Sequence, residues 1–425
     1  MISVLALERA LLYLTIITGF VGSAFLAVEA GPIHLFPYRV LLPLLWMLFA
    51  ISILFNQGRL NVSHIKVKSY LRFLALWLLY ATLSLAWAAS KVDAIRDIIF
   101  LFMAVSVIFL TIYYLNDIRY LKWFYYLWLL VFMALIPLGI WETVTGKHLA
   151  VSVLAQTVHP RLRFMPTTVF HNPNDYATYL ALGLPFVLAW IRYCRRIVGR
   201  LLGGLALIAG LYLLVVTVSR ANYLAVLVGS AFWLFFLLRL KAKIKALVLI
   251  GLVVLVLVVA FPKDVQAVFT TINVQLWSLY DYTPSFGYAR SNLIKNALVF
   301  FIKSFSFGVG AGNVEYYMAH HQVYATYGHV NVHNWWVEIL ANYGLYIFAG
   351  YVVFYLNLLF NLCKAYGKLK GITEKMLGEA LLVALVSFSF ASISSSSIIS
   401  SRAQWMLFAF ALAFLNTLRV KWRLE

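Results

Sequence analysis

Apolar runs of about 20 residues recur from one end of this 425-residue chain to the other, and no other feature restricts its fold so severely. A helix of that length crosses a hydrocarbon core of roughly 30 Å. Lipid offers no partner for backbone N–H and C=O groups, so each run must satisfy its own and be helical. Twelve spans are predicted, at 10–28, 40–55, 73–89, 98–115, 123–141, 176–191, 201–218, 221–238, 246–261, 336–360, 377–399 and 403–418. The expected fold is an all-α integral membrane protein, one polytopic domain over residues 1–425. The first run has no small-residue cleavage site and is read as a retained span.

Charged residues make up 11% of the chain, against about 25% in soluble domains. A net charge of +20 on a soluble protein would suggest nucleic acid. Between apolar spans it reflects topology and attraction to anionic membrane lipids instead, so no nucleic-acid partner is expected. With the N-terminus in the cytoplasm, the strongest basic blocks fall inside at every second loop. They include Arg192, Arg195, Arg196 and Arg200, then Arg239, Lys241, Lys243 and Lys245, then Lys364, Lys368, Lys370 and Lys375. Cys194 and Cys363 sit beside such blocks, so neither a disulfide framework nor a cysteine metal motif is expected.

This orientation leaves two long outer loops, at 142–175 and 262–335. The second is large enough for an ordered subdomain. Within it, Leu293, Ile294, Ala297, Leu298 and Phe301 recur at helical spacing over 288–304, a helix that can lie in the membrane interface. Of the nine histidines, all but His64 fall on the outer side. Histidine passes protons near neutral pH, although exclusion from spans alone would also leave histidines in loops.

Three outer arginines stand near predicted span ends. Arg220 lies in the turn Ser219-Arg220-Ala221-Asn222, and a charge at the membrane boundary is costly unless paired or functional. Arg290 opens the amphipathic helix of the long loop. Both also suit an interfacial anchor, and Arg402 suits that role better than any other. His333 stands at the mouth of the tenth span, in His333-Asn334-Trp335-Trp336. No DxD motif is present and outer carboxylates are few, so no divalent cation and no other cofactor is expected; arginines bind diphosphate directly. His320, His321, His329 and His333 are the only histidine cluster with zinc-like spacing. Gly308-Val309-Gly310-Ala311-Gly312 lacks the Gly-Lys-Ser/Thr ending of a P-loop and is read as a turn.

Taken in order, Ser219-Arg220-Ala221, Arg290-Ser291-Asn292-Leu293, Gly308-Val309-Gly310 and His333-Asn334 through Asn342-Tyr343-Gly344 resemble the O-antigen ligase and O-antigen polymerase superfamily of bacterial envelope glycan enzymes. Phe170-His171-Asn172-Pro173-Asn174-Asp175 is similar to the segment that opens this region in several members. Many members carry a second histidine two residues before the His-Asn pair, where this chain has Asn331.

The resemblance implies a C-type glycosyltransferase-like fold and transfer of a glycan from undecaprenyl diphosphate to an acceptor hydroxyl, on a glycan or a lipid-linked acceptor. The site would face the periplasm or cell exterior from the cytoplasmic membrane. His333 would be the general base or orient the acceptor. Arg220 and Arg290 would hold the diphosphate, and Asn334 would orient the histidine or a sugar. His329 lies close by, and Trp335 can stack on a sugar face. The motifs favour a ligase-type reaction; a repeat-unit polymerase is the alternative within the superfamily. Outside it stand a lipid-linked glycan transporter, which the lack of repeat symmetry disfavours, and a non-catalytic scaffold.

Overall fold

A computed structural model describes residues 4–30, 33–55, 62–160, 162–260, 286–393 and 398–422, with 262, 266, 270 and 395. Most of the first part of the expected outer loop, 263–285, lies outside the described residues.

In chain order the helices are α1 (Val4–Val21), α2 (Pro37–Phe55), α3 (Lys68–Leu83), α4 (Lys91–Tyr114), α5 (Ile118–Thr145), α6 (Pro173–Tyr193), α7 (Ile197–Val216), α8 (Arg220–Phe232), α9 (Leu240–Ala260), α10 (Phe286–Lys303), α11 (Val314–His320), α12 (Trp335–Tyr366), α13 (Ile372–Ala391) and α14 (Arg402–Lys421). Setting α10 and α11 aside, the other twelve helices among the described residues occupy the expected spans. Among the described residues nine are long and apolar enough on their own to cross a membrane. The protein is an all-α integral membrane protein. Its one sheet among the described residues is a small antiparallel ribbon, β1 (Val28–Ala30) on β2 (Ile33–Leu35), with Val28 opposite Leu35.

Helix α14 is buried on every side from Ala403 to Leu418 and runs through the interior, where α4, α5, α12 and α13 enclose it. Helix α13 packs along α6 and α8. These contacts bring the start of α6, the start of α8 and the end of α13 to one end of the bundle, called here the site end.

At the opposite end the polar groups hold one another. The Glu379 carboxylate accepts from Arg192 (2.5 Å), Tyr193 (2.9 Å), Tyr366 (2.9 Å) and the Trp233 indole (2.5 Å). Arg9 donates to the Tyr114 carbonyl at 3.1 Å and to the Tyr120 hydroxyl at 2.8 Å. With Glu8 bonded to Ser52, this lets α1 begin well before its expected start and include both charges.

One further expectation is corrected. The span expected to run to 399 stops at Ala391, where α13 ends, and among the described residues the chain is next helical in a short turn at Ile398–Ser400. One side of α10 is turned inward, while Leu298 and Ile302 stay exposed. Leu293, Ala297 and Phe300 bury against Val309, Val314, Met318, Val332 and Ala341, forming a second small core.

Candidate active site

The site is built where α13 stops. A helix leaves its last carbonyls without intrahelical partners, and here three consecutive carbonyls are each bonded by a different element. Ala391 accepts from the Thr178 hydroxyl of α6 at 3.3 Å, Ser392 from the Trp335 N–H of α12 at 3.0 Å, and Ile393 from Arg290 Nη2 of α10 at 2.5 Å. Two residues on, the Ser395 hydroxyl donates to Asp175 at 2.5 Å.

Each helix arriving there has a local reason to start where it does. Asn172 caps α6 by accepting from the Asp175 N–H at 3.0 Å, with Pro173 at the first helical position. Asn334 caps α12 by accepting from the Val337 N–H at 3.3 Å. At α8, Asn222 is fully buried and its amide donates to Ser219 at 3.0 Å and Thr178 at 3.3 Å, tying the first turn of α8 to α6.

Arg220, Arg290 and His333 come together at this junction. Arg290 Nη2 donates to the His333 carbonyl at 2.9 Å as well as to Ile393. Burial, and then the nearby Arg220 guanidinium, push the Arg290 guanidinium below its ordinary value. Two cations near enough to disfavour one another attract an anion between them. The positive ends of α6, α8 and α12 point to the same region and act in the same sense.

Two residues here have left-handed backbones, Val218 at φ 57° and His333 at φ 51°. Each such conformation costs on the order of 1–3 kcal/mol, and more readily so for a β-branched valine. One lies two residues before Arg220 and the other is the candidate base itself. The surrounding bonds hold His333 there: its N–H donates to Asn331 Oδ1 at 2.9 Å while Arg290 holds its carbonyl.

Of the other expected site residues, Asn334 stays at the junction as the α12 cap, and His329 and Trp335 are held in other ways. His329 is exposed and its N–H caps a turn to the Thr326 carbonyl at 3.1 Å. Trp335 is corrected to a core residue. It is 1% exposed, its indole N–H donates to Tyr351 at 2.9 Å, and Trp77 and Trp405 pack around it, so neither ring face is open to a sugar. Arg402 donates to the Gly19 carbonyl at 2.9 Å and so ties the start of α14 to α1. Among the described residues no group of three or more His, Cys, Asp or Glu side chains is arranged to hold a metal ion.

The glycine-rich turn braces the site from behind. Helix α12 breaks at Gly344, with φ 76°, which frees the Ala341 and Asn342 carbonyls. The N–H groups of Val309 and Gly310 take them at 2.9 and 3.0 Å, and the Leu345 N–H reaches back to Ser306 at 2.9 Å. The first part of α12, which His333 and Asn334 precede, is thereby fixed to the outer subdomain.

Two cavities open at the site end. One, of about 680 Å³, lies between Trp87, Lys303, Phe307, Tyr317 and His321. The other, of about 360 Å³, is lined by Asp97, Glu315, Asn331, Val332, Glu338 and Asn342 among others, and so includes the residue just before His333.

A family model described as O-antigen ligase matches residues 205–355, the stretch that holds Arg220, Arg290, His329, His333, Asn334 and Trp335. The teichuronic acid biosynthesis protein TuaE of Bacillus subtilis (strain 168) is 34% identical over 417 residues, covering 97% of this chain and 85% of that protein. This chain belongs to the O-antigen ligase family. Members of the O-antigen ligase family are glycosyltransferase-like membrane enzymes that act on lipid-linked glycans, and the multi-pass helical architecture described above is consistent with that setting.

Sequence reasoning missed the polar residues that assemble the junction. Asn331, Asp175 and Asn222 act through partners on other elements. Only the Asn-Pro-x-Asp pattern at 172–175 carried a local signal, that of a helix start.

Proposed function

We propose that this protein transfers a glycan from undecaprenyl diphosphate to an acceptor hydroxyl at the outer face of the cytoplasmic membrane. Arg220 and Arg290 hold the diphosphate, and His333 accepts the proton of the attacking hydroxyl or orients it. The observation that carries this reading is that Arg290 is bonded to the His333 peptide group and lies beside Arg220, where α13 ends. Fixed guanidinium groups neutralise the charge that grows on a leaving diphosphate without reorganising, and they do so without a metal. Attack from the face opposite the diphosphate inverts the anomeric centre. The cavity beside Asn331 offers the acceptor a polar approach.

A ligase-type reaction is the first form of this proposal. A repeat-unit polymerase is the second, supported by the relative's name as a teichuronic acid biosynthesis protein. Product length separates them: a polymerase yields a ladder, a ligase a single shift of the acceptor.

The test uses purified protein and the lipid-linked glycan extracted from cells lacking it. His333→Ala is expected to lower turnover by about 10²–10⁴-fold, the usual worth of general acid–base help, with donor binding unchanged. Transfer by folded His333→Ala at the parental rate would sink the proposal.

A further inference from the structure

We infer that Asn331, steadied by Glu315, is a positioning residue that holds His333 in its working conformation. This rests on the reading of His333 given above.

The connection is continuous. Glu315 in α11 accepts from Asn331 Nδ2 at 2.7 Å, and Asn331 Oδ1 accepts from the His333 N–H at 2.9 Å. The second bond is a side chain closing a turn onto the backbone two residues ahead, a habit of asparagine. It acts on a residue whose φ of 51° is disfavoured without outside support. The His333 peptide is thus gripped on its carbonyl side by Arg290 and on its N–H side by Asn331. The two grips have different origins: Arg290 comes from α10, at the candidate diphosphate site, and Glu315 from α11, in the wall of the smaller cavity. The amide is specific in this place. Its oxygen must face the His333 N–H because its NH₂ is directed at a carboxylate, which only accepts. An aspartate at 331 would keep the bond to His333 but set two carboxylates against each other.

The experiment measures turnover and donor KM with the extracted lipid-linked glycan for seven proteins: wild type, Asn331→Ala, Asn331→Asp, Glu315→Gln, Asn331→Asp with Glu315→Gln, and His333→Ala with and without Asn331→Ala. Loss of alignment at a reacting group costs roughly ten- to hundredfold in rate. That loss in turnover is expected for Asn331→Ala and Asn331→Asp, with donor KM unchanged. Glu315→Gln retains an acceptor oxygen for the Asn331 NH₂ and loses less turnover than Asn331→Asp. Combining it with Asn331→Asp restores turnover, because the glutamine NH₂ now donates to the aspartate. In the His333→Ala background Asn331→Ala has no further effect, since a residue acting only through His333 has nothing left to position.

Additive losses in that double variant, or full turnover in Asn331→Ala, overturn the inference while leaving the role of His333 intact. Full turnover in His333→Ala overturns both. Should Asn331→Ala fail to fold, the restoration by the paired Asp and Gln substitutions decides the matter, and its absence counts against the inference.

Discussion

Arg290 does two jobs with one guanidinium. Among the described residues both of its hydrogen bonds leave from Nη2, toward His333 and Ile393, so Nε and Nη1 can donate to a ligand. Lysine has a single ammonium and cannot brace two carbonyls while also gripping a phosphate in a plane. Arg290→Lys is therefore expected to behave almost as badly as Arg290→Ala. Each arginine removed loses a charge-assisted contact worth roughly 1.5–3 kcal/mol, about a tenfold to hundredfold loss. Both donor affinity and turnover should fall, unlike the His333 variant, and paired binding and rate measurements check this. Parental turnover in Arg290→Lys would show that the planar fork is not needed. These residues were legible because charges and imidazoles at the ends of apolar runs are conspicuous. Trp335 was misread for a physical reason: an indole at a helix mouth looks alike whether it faces a sugar or a core. Only the arrival of Trp77 and Trp405 from distant helices, with Tyr351 from farther along α12, decides the matter.

At the scale of elements, the break in α12 does what an unbroken helix could not. Freed carbonyls at 341 and 342 become acceptors for the glycine-rich turn, and the turn locks the outer subdomain to the span. A side chain at Gly344 would meet the Ser306 carbonyl oxygen at 2.3 Å, and one at Gly308 would meet the Asn342 oxygen at 2.5 Å. Both glycines also have positive φ, 76° and 81°. Gly344→Ala is expected to cost at least about 1–3 kcal/mol from the backbone conformation alone, before the clash is added. Thermal unfolding in detergent should show a lowered midpoint, and transfer should fall with it as His333 loses its support. An unchanged midpoint would mean that the turn and the break are not coupled. The sequence marked this turn but not its partner, because the bonds join segments about thirty residues apart. Helix existence was legible from apolar runs throughout. Helix ends were not wherever a polar side chain found a distant partner: Glu8 and Arg9 extended α1, and the serines after Ala391 left α13 to bond with α6 and α12.

At the scale of the molecule, the two ends of the bundle differ in how they treat charge. The Glu379 and Arg9 clusters close the end that carries the basic blocks, whereas the site end gathers Arg220, Arg290 and His333 beside two cavities. The proposed donor suits this division: its diphosphate would lie at the membrane surface, and among the described residues the site end sets Arg220 and Arg290 beside cavities. The bias of lysine and arginine toward alternate loops predicts which surface that is, since such residues are retained in the cytoplasm. The proposal therefore places the site end outside. Val323 tests it, being exposed in the loop between α11 and α12. Cys363, exposed near the end of α12 at the opposite end of the bundle, supplies the internal comparison. In a Cys194→Ser background, Val323→Cys should react with a membrane-impermeant maleimide in intact spheroplasts, and Cys363 should react only after lysis. The opposite pattern would put Arg220, Arg290 and His333 in the cytoplasm, where the proposed acceptor is not exposed, and the assignment of the reaction to the outer face would have to be abandoned.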